Sequence, residues 1–202
     1  MNADDNPPAL EFWFELASTY SYIAAERIVD LAAKAGVRVA WKPFLLGPIF
    51  QAQDWNDSSF NLYPVKGRYM WRDMERLCAL HGLPFAKPAL FPQSSILAAR
   101  LALAPQSPAF VRAVYRANFV QGRNIGEHAV MEAALVEAGL DPAQWIARAE
   151  MVKDALRAQN ERAVQIGIFG APSFVSGGEI FWGNDRLEDA VAWHAEVTRG
   201  AR

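Results

Sequence analysis

The sequence predicts an α/β fold in which a βαβ unit and a ββα unit flank a block of helices. Two short runs of β-forming residues enclose a helical pattern within the first fifty residues. Two more such runs, separated by a glycine pair, precede a last helical pattern near the other end. Joined across the helical block, the two ends give the order β-α-β-β-β-α, which is that of a thioredoxin-like core with an inserted all-helical subdomain.

The amino-terminal unit is predicted from alternation and from a capping residue. Residues 10–16 alternate apolar and charged side chains, Glu15 among the latter, and predict the first strand. The following helix is expected to begin at Ser18 or Thr19, either of which can cap it. Residues 37–46 predict a second strand, and a right-handed crossover makes the two strands parallel.

The middle of the chain is predicted to be a long loop followed by helices. Residues 47–63 are rich in polar and turn-forming residues and predict the loop. From about residue 65 to residue 163 the apolar residues recur at helical spacing. The predicted helices are Tyr69–His81, Ser94–Leu103, Ala109–Phe119, His128–Ala138 and Pro142–Ile166.

The carboxy-terminal unit is predicted to be a hairpin followed by a helix. Residues 171–176 and 179–182 are β-forming and flank a glycine pair that suits a two-residue turn. A last helix, capped by Asn184 or Asp185, is expected over residues 187–197.

These units predict the domain organisation. We expect a thioredoxin-like core made of residues 10–50 and 166–198, interrupted by a helical subdomain of residues 64–165. The chain of 202 residues is long enough to bury one large core.

Composition argues against several classes of function. Twenty Lys and Arg residues against 22 Asp and Glu residues leave no basic excess for nucleic-acid binding. No apolar run is long enough to cross a membrane. Residues 1–8 lack the basic and then apolar layout of a secretory signal, and the single cysteine fits a reducing compartment. We therefore expect a cytoplasmic protein.

Four short segments hold candidates for a site, although each candidate also has a purely structural explanation. Ser18 lies at a predicted helix N-terminus, where a hydroxyl and free N–H groups stabilise an anion, but it also suits a plain cap. Pro172 begins a strand, and base rates alone favour a trans bond there. Asn184 and Asp185 either cap a helix or bind a carboxylate and an ammonium. Lys66 is either solvated or neutralises a ligand's carboxylate.

Other kinds of site have little support in the sequence. Ser18 has no base nearby and no Gly-x-Ser-x-Gly elbow, so we expect a hydrogen-bond donor there and not a nucleophile. Cys78 lies between apolar neighbours and is predicted to pack in the core. No metal site is expected, since three histidines lack metal-ligand spacing: His81, His128 and His194.

Four sequence blocks follow one another along the chain: Phe-Glu-Leu-Ala-Ser-Thr-Tyr-Ser-Tyr (14–22), Lys-Gly-Arg-Tyr-Met (66–70), Phe-Gly-Ala-Pro-Ser-Phe (169–174) and Phe-Trp-Gly-Asn-Asp-Arg-Leu (181–187). In this order they resemble the 2-hydroxychromene-2-carboxylate isomerases and the related kappa-class glutathione transferases of the DsbA-like thioredoxin superfamily. The resemblance runs from about Glu11 to Val197. Thr19 stands where the family usually has proline.

The resemblance implies that the protein binds glutathione as a cofactor. It assigns to Ser18 a hydrogen bond to the glutathione sulfur, which favours the thiolate. It implies a cis bond before Pro172, with the backbone of Ala171 pairing with the cysteinyl part. The remaining residues implied for glutathione are Asn184 and Asp185 at the γ-glutamyl end, Lys66 at the glycyl carboxylate, and Asn61 in the loop before Lys66.

The implied activity is isomerisation of an unsaturated aryl α-keto acid, in aromatic catabolism, through reversible addition of the thiolate. Tyr20, Tyr22 and Trp182 are expected to line the pocket for the small aromatic substrate. The resemblance also implies a homodimer. The alternatives are a kappa-class-like glutathione transferase, which would consume glutathione, and a module that binds glutathione without turnover.

Overall fold

A four-stranded sheet with the strand order β2-β1-β3-β4 forms the centre of the protein. The computed structural model describes residues 8–55 and 57–200, so the expectation about a secretory signal falls largely on residues 1–7, outside the described part. The pair β1–β2 is parallel and the pairs β1–β3 and β3–β4 are antiparallel, which confirms the predicted core. The strands are β1 (Leu10–Phe14), β2 (Val39–Pro43), β3 (Ser173–Ser176) and β4 (Glu179–Trp182).

Helices make up most of the remaining described chain. A one-turn 3-10 helix, Asn184–Arg186, leads into the last of them. The helices are α1 (Thr19–Ala35), α2 (Leu46–Gln51), α3 (Ser59–Leu62), α4 (Pro64–Leu80), α5 (Ile96–Leu103), α6 (Pro108–Phe119), α7 (His128–Glu137), α8 (Pro142–Ala149), α9 (Lys153–Gln165) and α10 (Leu187–Gly200).

Local signals set the elements that position the site. The Ser18 side chain caps α1, as predicted, and Gly36 ends the helix with φ 67°. The hairpin between β3 and β4 turns at Gly177 and Gly178, whose φ angles of 58° and 90° lie in the left-handed region that a two-residue hairpin requires. The hairpin prediction is confirmed.

The prediction of one long loop over residues 47–63 is wrong. The segment contains α2 and α3, which have six and four residues and are too short to show a period. The side chain of Ser58 caps α3 by accepting from the Phe60 N–H. The next helix begins at Pro64, five residues earlier than predicted, because proline at the first helical position needs no hydrogen bond. Lys66 therefore lies in the first turn of α4.

The single helix predicted over residues 142–166 is also wrong. Residues 150–152 form a turn that separates α8 from α9. Neither glycine nor proline lies at this break, so no local feature of the sequence predicts it. Smaller differences are that β1 and β2 are shorter than predicted and α10 extends to Gly200.

The buried core is continuous between the sheet and the helical block. The larger cluster of buried side chains includes Phe12 and Phe14 of β1 together with Met70 of α4 and Phe110 of α6. Because the two parts share this core, a division at residues 64 and 165 stays a prediction. Within residues 8–55 and 57–200, no helix is long and apolar enough to cross a membrane.

Candidate functional site

Ser18 lies in the turn between β1 and α1, beside the start of β3. Because β1 and β3 are antiparallel, with Trp13 opposite Ser173, the end of one strand meets the beginning of the other. The Ser18 hydroxyl donates to the Ala171 carbonyl oxygen at 3.2 Å. Its oxygen also accepts from the Ser21 N–H at 3.4 Å. Both hydrogen bonds are long, so a stronger partner can replace either of them.

The first turn of α1 keeps two main-chain donors unused. The Ser18 N–H donates to the Glu15 carbonyl, and the Tyr22 N–H donates to the Ser18 carbonyl. The N–H groups of Thr19 and Tyr20 have no acceptor among the described residues. Such groups, together with the helix dipole, stabilise an anion placed at the helix start.

The peptide bond between Ala171 and Pro172 is cis, as the resemblance implied and against the base-rate expectation. The Pro172 carbonyl accepts from the Gly183 N–H at 2.9 Å, which ties this segment to the end of β4. Within the described chain, the Ala171 N–H donates to no carbonyl or side chain. A partly exposed residue next to Ser18 therefore has a main-chain donor that a ligand's carbonyl can accept.

The turn at residues 184–186 is fixed to α1 by an arginine. The Arg27 guanidinium donates to the Asn184 Oδ1 at 3.1 Å and to the Glu188 carboxylate. Asn184 is buried, but its Nδ2 is accessible and has no acceptor among the residues described. Asp185 is exposed and pairs with Arg186 at 3.1 Å. An amide donor and a carboxylate are thus adjacent, which suits a ligand that carries a carboxylate and an ammonium.

Lys66 is connected to the Ser18 turn through two aromatic rings. Its ammonium lies 5.8 Å from the centre of the Phe60 ring, and that ring lies 6.4 Å from the ring of Tyr20. Tyr20 follows Ser18 by two residues on α1. Gly67 allows α3 and α4 to approach, because a Cβ at this position would lie 2.3 Å from the Phe60 carbonyl oxygen.

Comparison with known protein families shows which family the chain is related to. The profile of the DSBA-like thioredoxin domain matches residues 9–192. The chain belongs to this family. The DSBA-like thioredoxin domain thus accounts for the sheet, the helical block and both segments that meet at Ser18.

Similar proteins agree with the predicted resemblance. The chain is 29% identical over 184 residues to a 2-hydroxychromene-2-carboxylate isomerase from Sphingobium xenophagum, which covers 89% of this chain and 94% of that protein. It is 24% identical over 215 residues to the glutathione S-transferase kappa 2 of Caenorhabditis elegans, covering 96% and 95%. A solved 2-hydroxychromene-2-carboxylate isomerase superposes with a TM-score of 0.85 at 23% identity, covering 96% and 98%. The resemblance is confirmed.

Two of the three aromatic residues expected in the substrate pocket of this DSBA-like domain are accessible. Tyr20 is partly exposed, and its hydroxyl donates to the Asp73 carboxylate at 3.0 Å. Trp182 is 53% exposed and packs on the Phe169 ring at 4.9 Å. Tyr22 is fully buried and its hydroxyl donates to a main-chain carbonyl, so its assignment to the substrate pocket is wrong.

Asn61 lies on α3 and is exposed, but its amide is already engaged. The amide nitrogen donates to the Asp57 carboxylate at 3.1 Å and to the Phe91 carbonyl at 3.2 Å. A ligand that meets Asn61 in this arrangement therefore finds only its oxygen free.

The other candidate side chains have structural roles. Cys78 is buried on α4, and burial raises the pKa of its thiol to about 11, which makes it unreactive. His194 is buried and binds Ser176 at 2.8 Å and the Pro8 carbonyl at 3.1 Å. Among the described residues, no three His, Cys, Asp or Glu side chains are grouped to hold a metal ion.

Sequence reasoning missed the buried carboxyl of Glu15. Alternation suggested an ordinary charged position of a strand, but β1 ends at Phe14 and Glu15 is only 7% exposed. Burial raises the pKa of the Glu15 carboxyl to about 7, although hydrogen bonds from Ser95 and from the Ala17 N–H favour the ionised form. Only the position of Glu15, three residues before Ser18, links it to the site in the sequence.

Proposed function

We propose that this protein is a glutathione-dependent isomerase acting on 2-hydroxychromene-2-carboxylate-type compounds and unsaturated aryl pyruvates. The observation that carries the proposal is a hydroxyl at the start of α1, in contact with the carbonyl of Ala171 just before β3. The only cysteine of the chain, Cys78, is buried on another helix. A reactive thiol at this turn must therefore come from a ligand, which glutathione provides.

The unused polar groups around Ser18 fit glutathione. Its thiolate would meet the Ser18 hydroxyl and the N–H groups of Thr19 and Tyr20, and its cysteinyl carbonyl would accept from the Ala171 N–H. Asn184 and Asp185 would bind the γ-glutamyl carboxylate and ammonium. Lys66 and the oxygen of Asn61 would bind the glycyl end.

The energies of these contacts are sufficient to favour a thiolate at neutral pH. A free thiol has a pKa of about 8.5. A helix terminus contributes about 0.3–1 kcal/mol, or up to about 2 kcal/mol when partly buried. A hydrogen bond to a charged group adds roughly 1.5–3 kcal/mol. At about 1.36 kcal/mol per pKa unit, the two together lower the thiol pKa by roughly one to three units.

Bound glutathione would supply a nucleophilic sulfur that adds reversibly to the substrate, so that a double bond becomes a single bond about which rotation is possible. The Ser18 hydroxyl and the free amides of α1 hold the negative charge while sulfur is not bonded to substrate. The exposed ring of Trp182 and the partly exposed ring of Tyr20 offer flat surfaces for the aryl group.

Three further parts of the proposal rest on the resemblance and the composition. The protein is a homodimer, as in the related families, and acts in the cytoplasm, where a single unpaired cysteine is stable. Its helical block, residues 64–165, is an insertion into the thioredoxin-like core.

A kappa-class-like transferase activity is the second candidate. It is favoured by the relationship to the kappa 2 transferase of Caenorhabditis elegans over 96% of the chain. The two activities differ in their products, because conjugation consumes glutathione and isomerisation returns it.

The test is to incubate the protein with a 2-hydroxychromene-2-carboxylate in the presence and absence of glutathione. We expect isomerisation that depends on glutathione and leaves its concentration unchanged. Consumption of glutathione with formation of a stable conjugate supports the transferase. Equal isomerisation rates with and without glutathione contradict the isomerase, and glutathione that is neither required nor consumed contradicts both activities.

A further inference from the structure

Glu15 joins three parts of the protein at the turn that carries Ser18. One carboxylate oxygen accepts from the Ser95 hydroxyl in the segment before α5, and the other accepts from the Ala17 N–H at 2.9 Å. The main-chain carbonyl of Glu15 accepts from the Ser18 N–H at 3.0 Å and from the Tyr115 hydroxyl at 2.9 Å. All three acceptor oxygens of this residue are therefore in use.

The two bonds from Glu15 to the turn have a specific consequence for Ser18. The Ala17 N–H and the Ser18 N–H belong to two successive peptide groups, and Glu15 accepts from both. The Ala17 and Ser18 bonds hold the two peptide planes that lead up to the Ser18 Cα, and the bond from the Tyr22 N–H to the Ser18 carbonyl at 3.3 Å holds the plane that follows it. With the planes on both sides of the Ser18 Cα held, the direction of its Cα–Cβ bond is held as well, since only two dihedral angles per residue are free. That direction determines whether the Ser18 hydroxyl points to Ala171.

We propose that Glu15 is a positioning residue, whose carboxylate holds the β1–α1 turn so that the Ser18 hydroxyl reaches the sulfur of glutathione. The proposal rests on the proposed function. Ser95 supports this role, because its hydroxyl donates to the carboxylate oxygen of Glu15 that Ala17 does not use. The helical block thereby fixes the geometry of a residue in the thioredoxin-like core.

The choice of substitutions follows from the hydrogen bonds. Glu15→Ala removes both side-chain acceptors and leaves the Ala17 N–H buried without a partner. Glu15→Gln keeps the geometry, because its amide oxygen accepts from Ala17 while its amide nitrogen donates to the Ser95 hydroxyl oxygen. Ser95→Ala removes only the outer contact. Ser94→Ala is the matched control, since Ser94 is the exposed neighbour of Ser95.

The experiment measures the thiol pKa of bound glutathione from the ultraviolet absorbance of the thiolate, with calorimetry for binding and circular dichroism for folding. Relative to the unaltered protein, we expect Glu15→Ala to raise the thiol pKa by about one unit or more, towards the free value of about 8.5. Ser95→Ala should shift the thiol pKa in the same direction. If Glu15→Ala does not fold, Ser95→Ala alone tests the positioning role of Glu15. Glu15→Gln stays within about half a unit of the unaltered protein, and Ser94→Ala leaves the value unchanged.

The outcomes separate this proposal from the proposed function. If the unaltered protein lowers the thiol pKa and a folded Glu15→Ala or Ser95→Ala variant lowers it equally, the role of Glu15 is wrong and the function stands. A Glu15→Gln variant that behaves like Glu15→Ala also overturns the positioning role. If the unaltered protein does not bind glutathione, the proposed function itself fails.

Discussion

The Ser18 hydroxyl donates to the carbonyl oxygen of Ala171, 153 residues later in the chain. The contact exists because β1 and β3 are antiparallel neighbours, so the residues after β1 meet the residues before β3. Ser18 therefore has two contacts: it caps α1, as many serines do, and it also borders the candidate site at Ala171.

Replacing Ser18 by alanine should raise the thiol pKa of bound glutathione. The lost hydrogen bond to a charged sulfur is worth roughly 1.5–3 kcal/mol, which corresponds to about one to two pKa units. Loss of the cap should also lower the free energy of unfolding by about 1 kcal/mol. Thiolate absorbance and urea unfolding measure the two effects separately.

Ser107→Ala is the control for this substitution. Ser107 caps α6 by accepting from the Phe110 N–H, as Ser18 caps α1 by accepting from Ser21. The control should lose a similar amount of stability, about 1 kcal/mol, and leave the thiol pKa unchanged. A Ser18→Ala variant that differs from Ser107→Ala in neither measurement would mean that Ser18 is only a cap.

Lys66→Met should weaken glutathione binding through the glycyl carboxylate. An exposed ion pair contributes about 1 kcal/mol at most, so we expect an increase of about fivefold in the dissociation constant. With γ-glutamylcysteine, which lacks the glycyl carboxylate, the substitution should have no effect. Lys87→Met is the control, because the Lys87 ammonium also lies over an aromatic ring, 5.0 Å from the centre of the Trp71 ring. An equal loss of affinity for both ligands would show that Lys66 does not bind the glycyl carboxylate.

The buried Glu15 should make folding stability depend on pH. Its pKa is raised from 4.5 to about 7 in the folded protein, chiefly by burial, so the folded state holds a proton that the unfolded state releases. The free energy of unfolding therefore falls as pH rises between these values, by roughly 3 kcal/mol from this group alone. Glu15→Gln lacks this contribution. Urea unfolding at low and neutral pH should show the larger loss in the unaltered protein, and parallel losses in both proteins would contradict the prediction.

Gly67→Ala should separate α3 from α4. The added Cβ would lie 2.3 Å from the Phe60 carbonyl oxygen, which as main chain cannot move aside alone. We expect a loss of about 1–3 kcal/mol in unfolding free energy and weaker glutathione binding, since Lys66 precedes Gly67. Gly47→Ala is the control: nothing lies within 4 Å of its added Cβ in α2, and it should gain up to about 1 kcal/mol. Equal effects of the two substitutions would contradict this role of Gly67.

The sequence predicts the sheet and the helix that begins at Ser18 because their signals are local. Alternation marks β1, a hydroxyl residue caps α1, and a glycine pair turns the hairpin. The break between α8 and α9 has no such signal, and α2 and α3 are too short for periodicity.

The sequence mispredicts the surroundings of Glu15 and Tyr22. The first depends on residues distant in sequence, and the second depends on which face of α1 the side chain occupies. Glu15 is buried by contacts such as that with Ser95, 80 residues away, which no local pattern reveals. Tyr20 and Tyr22 were both expected in the pocket, yet two residues along a helix are about 200° apart around its axis. Tyr20 therefore remains accessible, while Tyr22 packs against Tyr115 in the core.

The most direct test of the central claim is a titration of glutathione bound to the unaltered protein, followed by the ultraviolet absorbance of its thiolate. We expect an inflection roughly one to three pH units below the value of about 8.5 for a free thiol. An inflection at the free value, or no saturable binding of glutathione, would contradict the claim that the start of α1 holds its sulfur as an anion.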